Sequence, residues 1–229
     1  MAGVGWVVVL LALLAAANVA NNAALRGAYP WLSLLELALV GALAYGAGLT
    51  AADLGLDRAS ARRGLAVGAV CVGLVVLGVV AVALTPAGRE AFLDRRTRLG
   101  WGDAVFAALV TVPVGTVLLE EVAFRGVLWG LVARLASPTW ATVVSASAFG
   151  LWHVLPSLGL GRNNAAVAGT IGTDSAVTAA FGVAVTAAAG VVLAELRRRT
   201  GSLLAPLALH WATNATGYLV GAAVWSIHI

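Results

Sequence analysis

The sequence predicts an all-α protein: a polytopic transmembrane helix bundle of about seven spans, with its chemistry between the last four. Three observations predict this. The 229 residues are 61% hydrophobic and only 10% charged, against roughly 25% charged in soluble domains. Mean hydropathy is +0.97. The apolar residues fall in continuous runs, not in the alternating pattern of a membrane β-barrel.

The runs can be taken in order, each near the ~20 residues that cross a hydrocarbon core. The first is Val4–Ala20. Small residues follow it as they would a cleavable leader, but no basic segment precedes it, so it reads as a retained helix. The second is Trp31–Leu49 and the third Leu65–Leu84, before Pro86. The fourth, Ala104–Ala133, is overlong; a helix of that length measures about 45 Å against a core of ~30 Å. It must tilt, protrude or break, and Pro113 is the expected kink. The fifth run is Thr139–Leu155, the sixth Ser175–Leu196 and the seventh Leu203–Trp225. A single membrane domain, residues 1–229, accommodates them all.

Polar residues collect in the connections. Arg89 to Arg98 mixes Phe92 and Leu93 with Arg, as a short interfacial helix would. Pro156 to Thr173 is rich enough in Gly and Asn to serve as a lid. All fourteen basic residues are Arg. They are scattered at the ends of apolar runs, a topology pattern that gives no reason to expect a nucleic-acid partner. Apart from Arg125, which lies within a run, seven lie on the side of the N-terminus and six on the other, which tips the expected N-terminus towards the cytoplasm. With one cysteine, Cys71, no intrachain disulfide or cysteine metal cluster can form.

Three polar clusters interrupt the runs: Glu120-Glu121-Val122-Ala123-Phe124-Arg125, Phe149-Gly150-Leu151-Trp152-His153, and His210-Trp211-Ala212-Thr213-Asn214. Ionisable groups inside a membrane are costly and mark functional sites by default. Helical spacing assigns faces. Glu121 and Arg125, four apart, pair and offset each other's burial. Glu120 lies about 100° around the helix and faces elsewhere. His210 shares a face with Asn214, and Phe149 with His153. The turn Ala136-Ser137-Pro138 makes the fourth and fifth runs an antiparallel hairpin. Glu120 and His153 each lie about sixteen residues from it, hence at similar depth. His210 lies nearer its own turn and matches that depth only if the hairpin protrudes.

The ordered set Glu-Glu-x-x-x-Arg, Phe-x-x-x-His and His-x-x-x-Asn resembles the CAAX protease and bacteriocin-processing (CPBP, or Abi) intramembrane proteases. Phe124-Arg125-Gly126 and Arg199-Thr200-Gly201-Ser202-Leu203 add to the likeness. It covers roughly residues 100–220, the expected protease core; the first three spans match only as generic membrane helices. The resemblance implies an intramembrane endopeptidase acting on a membrane-associated substrate, prenylated or not, in a prokaryotic plasma membrane. It implies Glu120 as general base, His153 as a holder of the water, and His210 and Asn214 as stabilisers of the oxyanion. Glu121, Arg125 and Phe149 are the supporting residues.

The chemistry suits the residues. A carboxylate in a dry site can take a proton from water, and imidazole and amide N–H groups can meet a developing oxyanion. The family's implied mechanism is either glutamate-type, with no cofactor, or zinc-dependent. Glu120, His153 and His210 would be the zinc ligands. The absence of a His-Glu-x-x-His motif favours the metal-free reading. The alternative function is a non-catalytic immunity or scaffold protein on the same fold. Buried polar groups do tie membrane helices together, at about 0.6 kcal/mol per hydrogen bond, but five ionisable groups are many to explain that way. Trp152 and Trp211 either wall the cavity or, as is commoner for Trp in a span, serve packing. Glu36 is expected near the headgroups, Glu195 at a helix end with Arg198 and Arg199, and Gly64, Gly68, Gly182 and Gly190 at helix contacts.

Overall fold

A computed structural model describes residues 2–228. Twelve helical segments position the site. They are α1 (Ala2–Val19), α2 (Trp31–Gly46), α3 (Ala51–Leu54), α4 (Arg58–Ala83) and α5 (Pro86–Phe92). The long α6 (Trp101–Leu135) and α7 (Pro138–Trp152) follow. Then come three short helices, α8 (Val154–Ser157), α9 (Leu160–Asn163) and α10 (Ala165–Ile171). Two long ones close the chain, α11 (Ser175–Thr200) and α12 (Leu204–Ser226). Each expected run is thus a helix. Among the described residues, four helical stretches are long and apolar enough to cross a membrane: Gly3–Ala24, Ala51–Ala83 (α3 with α4), Trp101–Leu135 and Ser175–Thr200.

The bundle is apolar on the outside. Leu65, Val70, Leu74 and Leu77 of α4 are all exposed, the surface that lipid would cover. The interior is where charge is hidden: Glu120, Glu121, Arg125, Arg197 and His210 are buried. Small residues permit close helix approach. Gly190 on α11 faces Ala146 of α7 so closely that an added Cβ would lie 3.0 Å from the Ala146 Cα. Gly68 of α4 faces Ala208 of α12, Gly64 faces Ser202, and Gly182 faces Ser157.

Local signals mark the helix ends. The Ser137 hydroxyl accepts from the Trp140 N–H, and Pro138 takes the first helical position, so the α6–α7 hairpin turns where Ala136-Ser137-Pro138 predicts. Thr50 and Asp53 form a capping box on α3. Gly55 then turns the chain at φ 73°, and its carbonyl accepts from Leu203 N–H at 2.7 Å. Arg197 reaches in from α11, donating to the carbonyls of Ala52 (3.1 Å) and Asp53 (2.8 Å) and lying over the Trp129 ring. Arg134 pairs with the Asp53 carboxylate. Glu195 pairs with Arg198 and Arg199, as their spacing predicts.

The overlong α6 is continuous through Pro113. It widens into i→i+5 turns at Ala107–Thr111, Pro113–Val117 and Glu121–Leu128. A wide turn re-pairs the carbonyls that proline and packing would strand. Neighbours take up others: the Trp211 indole donates to Ala108 O at 2.9 Å, and the Ser145 hydroxyl to Phe124 O at 2.9 Å. Glu36 is buried on α2 and accepts from the Asn21 amide at 2.6 Å, because a carboxylate inside a bundle takes whatever donor the next helix offers. The Arg89–Arg98 connection is α5 followed by a 3₁₀ turn, Arg95–Thr97.

Candidate active site

The wide turns of α6 carry Glu120 and Glu121 to the centre of the bundle. Glu121 and Arg125 have no solvent exposure, and their side chains pair at 3.0 Å. The Arg125 guanidinium also lies 3.9 Å from the Phe149 ring centroid, a cation–π contact strengthened by the absence of water. Phe149 packs edge-on against Phe124, His153 and His210. It is the hub around which the charged groups are arranged.

The two motif histidines are oriented through their Nδ1 atoms. His153 Nδ1 lies 2.8 Å from the Phe149 carbonyl. A carbonyl only accepts, so that nitrogen carries the proton, and Nε2 is the one that can offer a lone pair. His210 Nδ1 lies 2.8 Å from Glu121 Oε1, which likewise makes it the donor to a carboxylate. Its Nε2 faces Glu120 Oε2 at 3.8 Å. An N–H at that position exists only in the doubly protonated ring, whose charge Glu120 and Glu121 flank.

Glu120 is held by one oxygen only. Its Oε1 accepts from the Trp152 indole N–H at 2.9 Å, while its Oε2 is buried with no hydrogen-bond partner. A buried acceptor without a partner is costly, and here it sits beside a cavity. That cavity measures about 1130 Å³ and is walled by Glu120, Trp152, His153 and Asn214, among others. Asn214 is on α12 one turn beyond His210. The structure therefore brings all seven sequence-predicted residues together, with Glu120, His153 and Asn214 on the wall and His210, Glu121, Arg125 and Phe149 behind it.

The expected lid between Pro156 and Thr173 is ordered as α8, α9 and α10, and Pro156, Leu160, Arg162 and Asn164 line the cavity. Sequence reasoning missed another part of the wall. Asn21, Asn22 and Tyr29 line it, supplied by the wide turn Ala20–Ala24 and the chain entering α2. Three polar residues within five at the end of a greasy helix, Asn18, Asn21 and Asn22, were the available signal. Among the described residues, no three His, Cys, Asp or Glu side chains form a group able to hold a metal ion.

A family model, type II CAAX prenyl endopeptidase Rce1-like, matches residues 102–216, half of the chain. No curated protein and no solved structure gives a match.

Proposed function

Because the chain belongs to the type II CAAX prenyl endopeptidase Rce1-like family, we propose that it hydrolyses a peptide bond of a membrane-associated peptide or protein with a water activated by Glu120. One observation carries this reading: Glu120 Oε2 is an unpartnered buried carboxylate oxygen at a cavity wall. Water in that position donates one hydrogen to Oε2 and the other to the His153 Nε2 lone pair. Its own lone pair is then turned towards the scissile carbonyl. Glu120 takes the proton as the C–O bond forms. Asn214 meets the resulting oxyanion with its amide N–H, and His210 does so in its doubly protonated form. The protonated Glu120 then delivers its proton to the departing amine as the C–N bond breaks.

Supporting residues set the charges. Glu121 orients His210 through Nδ1, and Arg125 balances Glu121 from below. The cavity is larger than the ~300–1,000 Å³ of small-molecule pockets, which suits an extended peptide. No step is routed through zinc. With Nδ1 bonded to the Phe149 carbonyl and to Glu121, both histidines still leave Nε2 for a metal, but the described residues form no group of three ligand side chains, and the chelator arm of the test decides.

The test compares wild type with Glu120→Gln, purified in nanodiscs, against quenched fluorescent peptides with and without a lipid anchor. Cleavage by wild type that is lost in Glu120→Gln and indifferent to a strong chelator is the expected result. Loss with chelator and recovery with zinc would replace the glutamate mechanism by a metal-dependent one. Cleavage retained in Glu120→Gln would overturn the role of the base. A protein inert towards every peptide would favour the immunity or scaffold reading.

A further inference from the structure

The residue that holds Glu120 lies outside the three motifs' signature positions. We propose that Trp152 is a positioning residue for the general base, and that Asn18 of α1 locks Trp152 in place; this rests on the reading of Glu120 given above.

The argument begins with the end of α7. The last carbonyls of a helix lack intrahelical partners and need donors from elsewhere. Here each of three finds one. Phe149 O takes the His153 ring N–H, Gly150 O takes the His153 backbone N–H, and Trp152 O takes the Asn18 side-chain amide. Asn18 is buried and belongs to α1, more than a hundred residues away in sequence. The bond to Trp152 O therefore ties the start of the chain to the one helix end that carries both His153 and Trp152.

The Trp152 ring has a second constraint. It packs edge-on against Phe124, at 5.8 Å between centroids and 70° between planes. Phe124 is itself buried against Phe149. Clamped at its backbone and on its ring, the indole has its only polar atom fixed towards Glu120 Oε1, and the two meet at 2.9 Å. The consequence is selective. Of the two carboxylate oxygens, one is occupied by a donor that cannot titrate, and the other is left as the acceptor beside His210 Nε2. Without the indole, the carboxylate could rotate about its terminal torsion, which is broad, and present either oxygen or neither.

A purely packing role for Trp152 predicts something different. It would be satisfied by any large ring, and Phe at the same position would restore it. The positioning role predicts that Trp152→Phe keeps KM within twofold while kcat falls about 10- to 100-fold, the value of one hydrogen bond to a charged group. Asn18→Ala moves kcat in the same direction.

The experiment uses the full chain in nanodiscs with ¹⁵N-labelled Trp. The Trp152 indole resonance is assigned by its disappearance in Trp152→Phe. It is expected to move in Glu120→Gln and in Asn18→Ala. A resonance indifferent to Glu120→Gln would overturn the proposal, whatever the kinetics. Full kcat in Trp152→Phe would also overturn it, and would leave the role of Glu120 standing provided Glu120→Gln is inactive. If wild type cleaves no peptide, the reading of Glu120 as base falls, and the proposed positioning of a base falls with it even where the indole shift persists.

Discussion

Arg125→Met removes the guanidinium buried beside Glu121 while keeping a side chain of similar length. The magnitude follows from the burial. Both partners of the Arg125–Glu121 pair are at 0% side-chain exposure and 3.0 Å apart. Breaking such a pair from one side leaves an uncompensated carboxylate, at a cost of about 3–5 kcal/mol. An exposed pair would be worth ~0–1 kcal/mol. The contact of the guanidinium with Phe149 is lost in the same step. For a chain of this size the melting temperature should fall by roughly 6–20 °C. The assay is thermal and denaturant unfolding in detergent, with the double variant Glu121→Gln/Arg125→Met as its control. Gln keeps an acceptor for His210 Nδ1 and carries no charge, so the double variant should recover more than half of the loss. A cost below about 1 kcal/mol for Arg125→Met, or strict additivity in the double variant, would refute the reasoning.

Other outcomes are expected elsewhere. Gly190→Leu should destabilise by more than ~1–3 kcal/mol, the usual cost of overpacking, because the new Cβ alone stands 3.0 Å from the Ala146 backbone; measured loss of less than 0.5 kcal/mol, about the scatter of a surface change, would show that α7 and α11 can separate freely. Asp94 lies in the connection before α6. Burial would raise its carboxyl, but hydrogen bonds from the Arg96 side chain and backbone outweigh burial and hold it below its ordinary 3.8. Its contribution to stability is therefore complete above the unfolded value and is lost as pH falls through the lowered folded one. Below about pH 4, wild type should lose stability more steeply than Asp94→Asn, and superimposable pH curves would contradict this.

Much of the site was legible because helical arithmetic is robust inside a membrane. Glu121 and Arg125, four residues apart, pair as spacing requires. Glu120 and His153, equidistant from the hairpin turn, lie at one depth, since Trp152 beside His153 touches Glu120. His210 is also level with them: its ring contacts both carboxylates. What spacing could not reveal were contacts between distant segments. Asn18 touching Trp152, Asn21 touching Glu36 and Arg197 capping α3 depend on which helices become neighbours, and no local pattern encodes that. Trp152 read as packing because Trp in a span usually is, and only the partner of its N–H distinguishes the two uses. The wide turns around Pro113 were not legible for a different reason: proline marks where a backbone donor is missing, but periodicity has no signature for an i→i+5 turn.

That widening has a consequence for phase. A turn of i→i+5 bonding holds one residue more than an α-turn, so Glu121–Leu128 acts as an insertion between the carboxylates and everything that follows them in α6. Deleting a single residue there would let the segment rewind as α-helix with the downstream half still in phase, so Arg134 would keep its face towards Asp53. Forcing the same residues into an α-helix with none deleted would instead turn everything downstream by about 100° and lengthen it by ~1.5 Å, and the hairpin carrying Trp152 and His153 would leave the Glu120 face. The register of the site is therefore stored as a surplus residue in a backbone coil, and it depends on that coil staying wide.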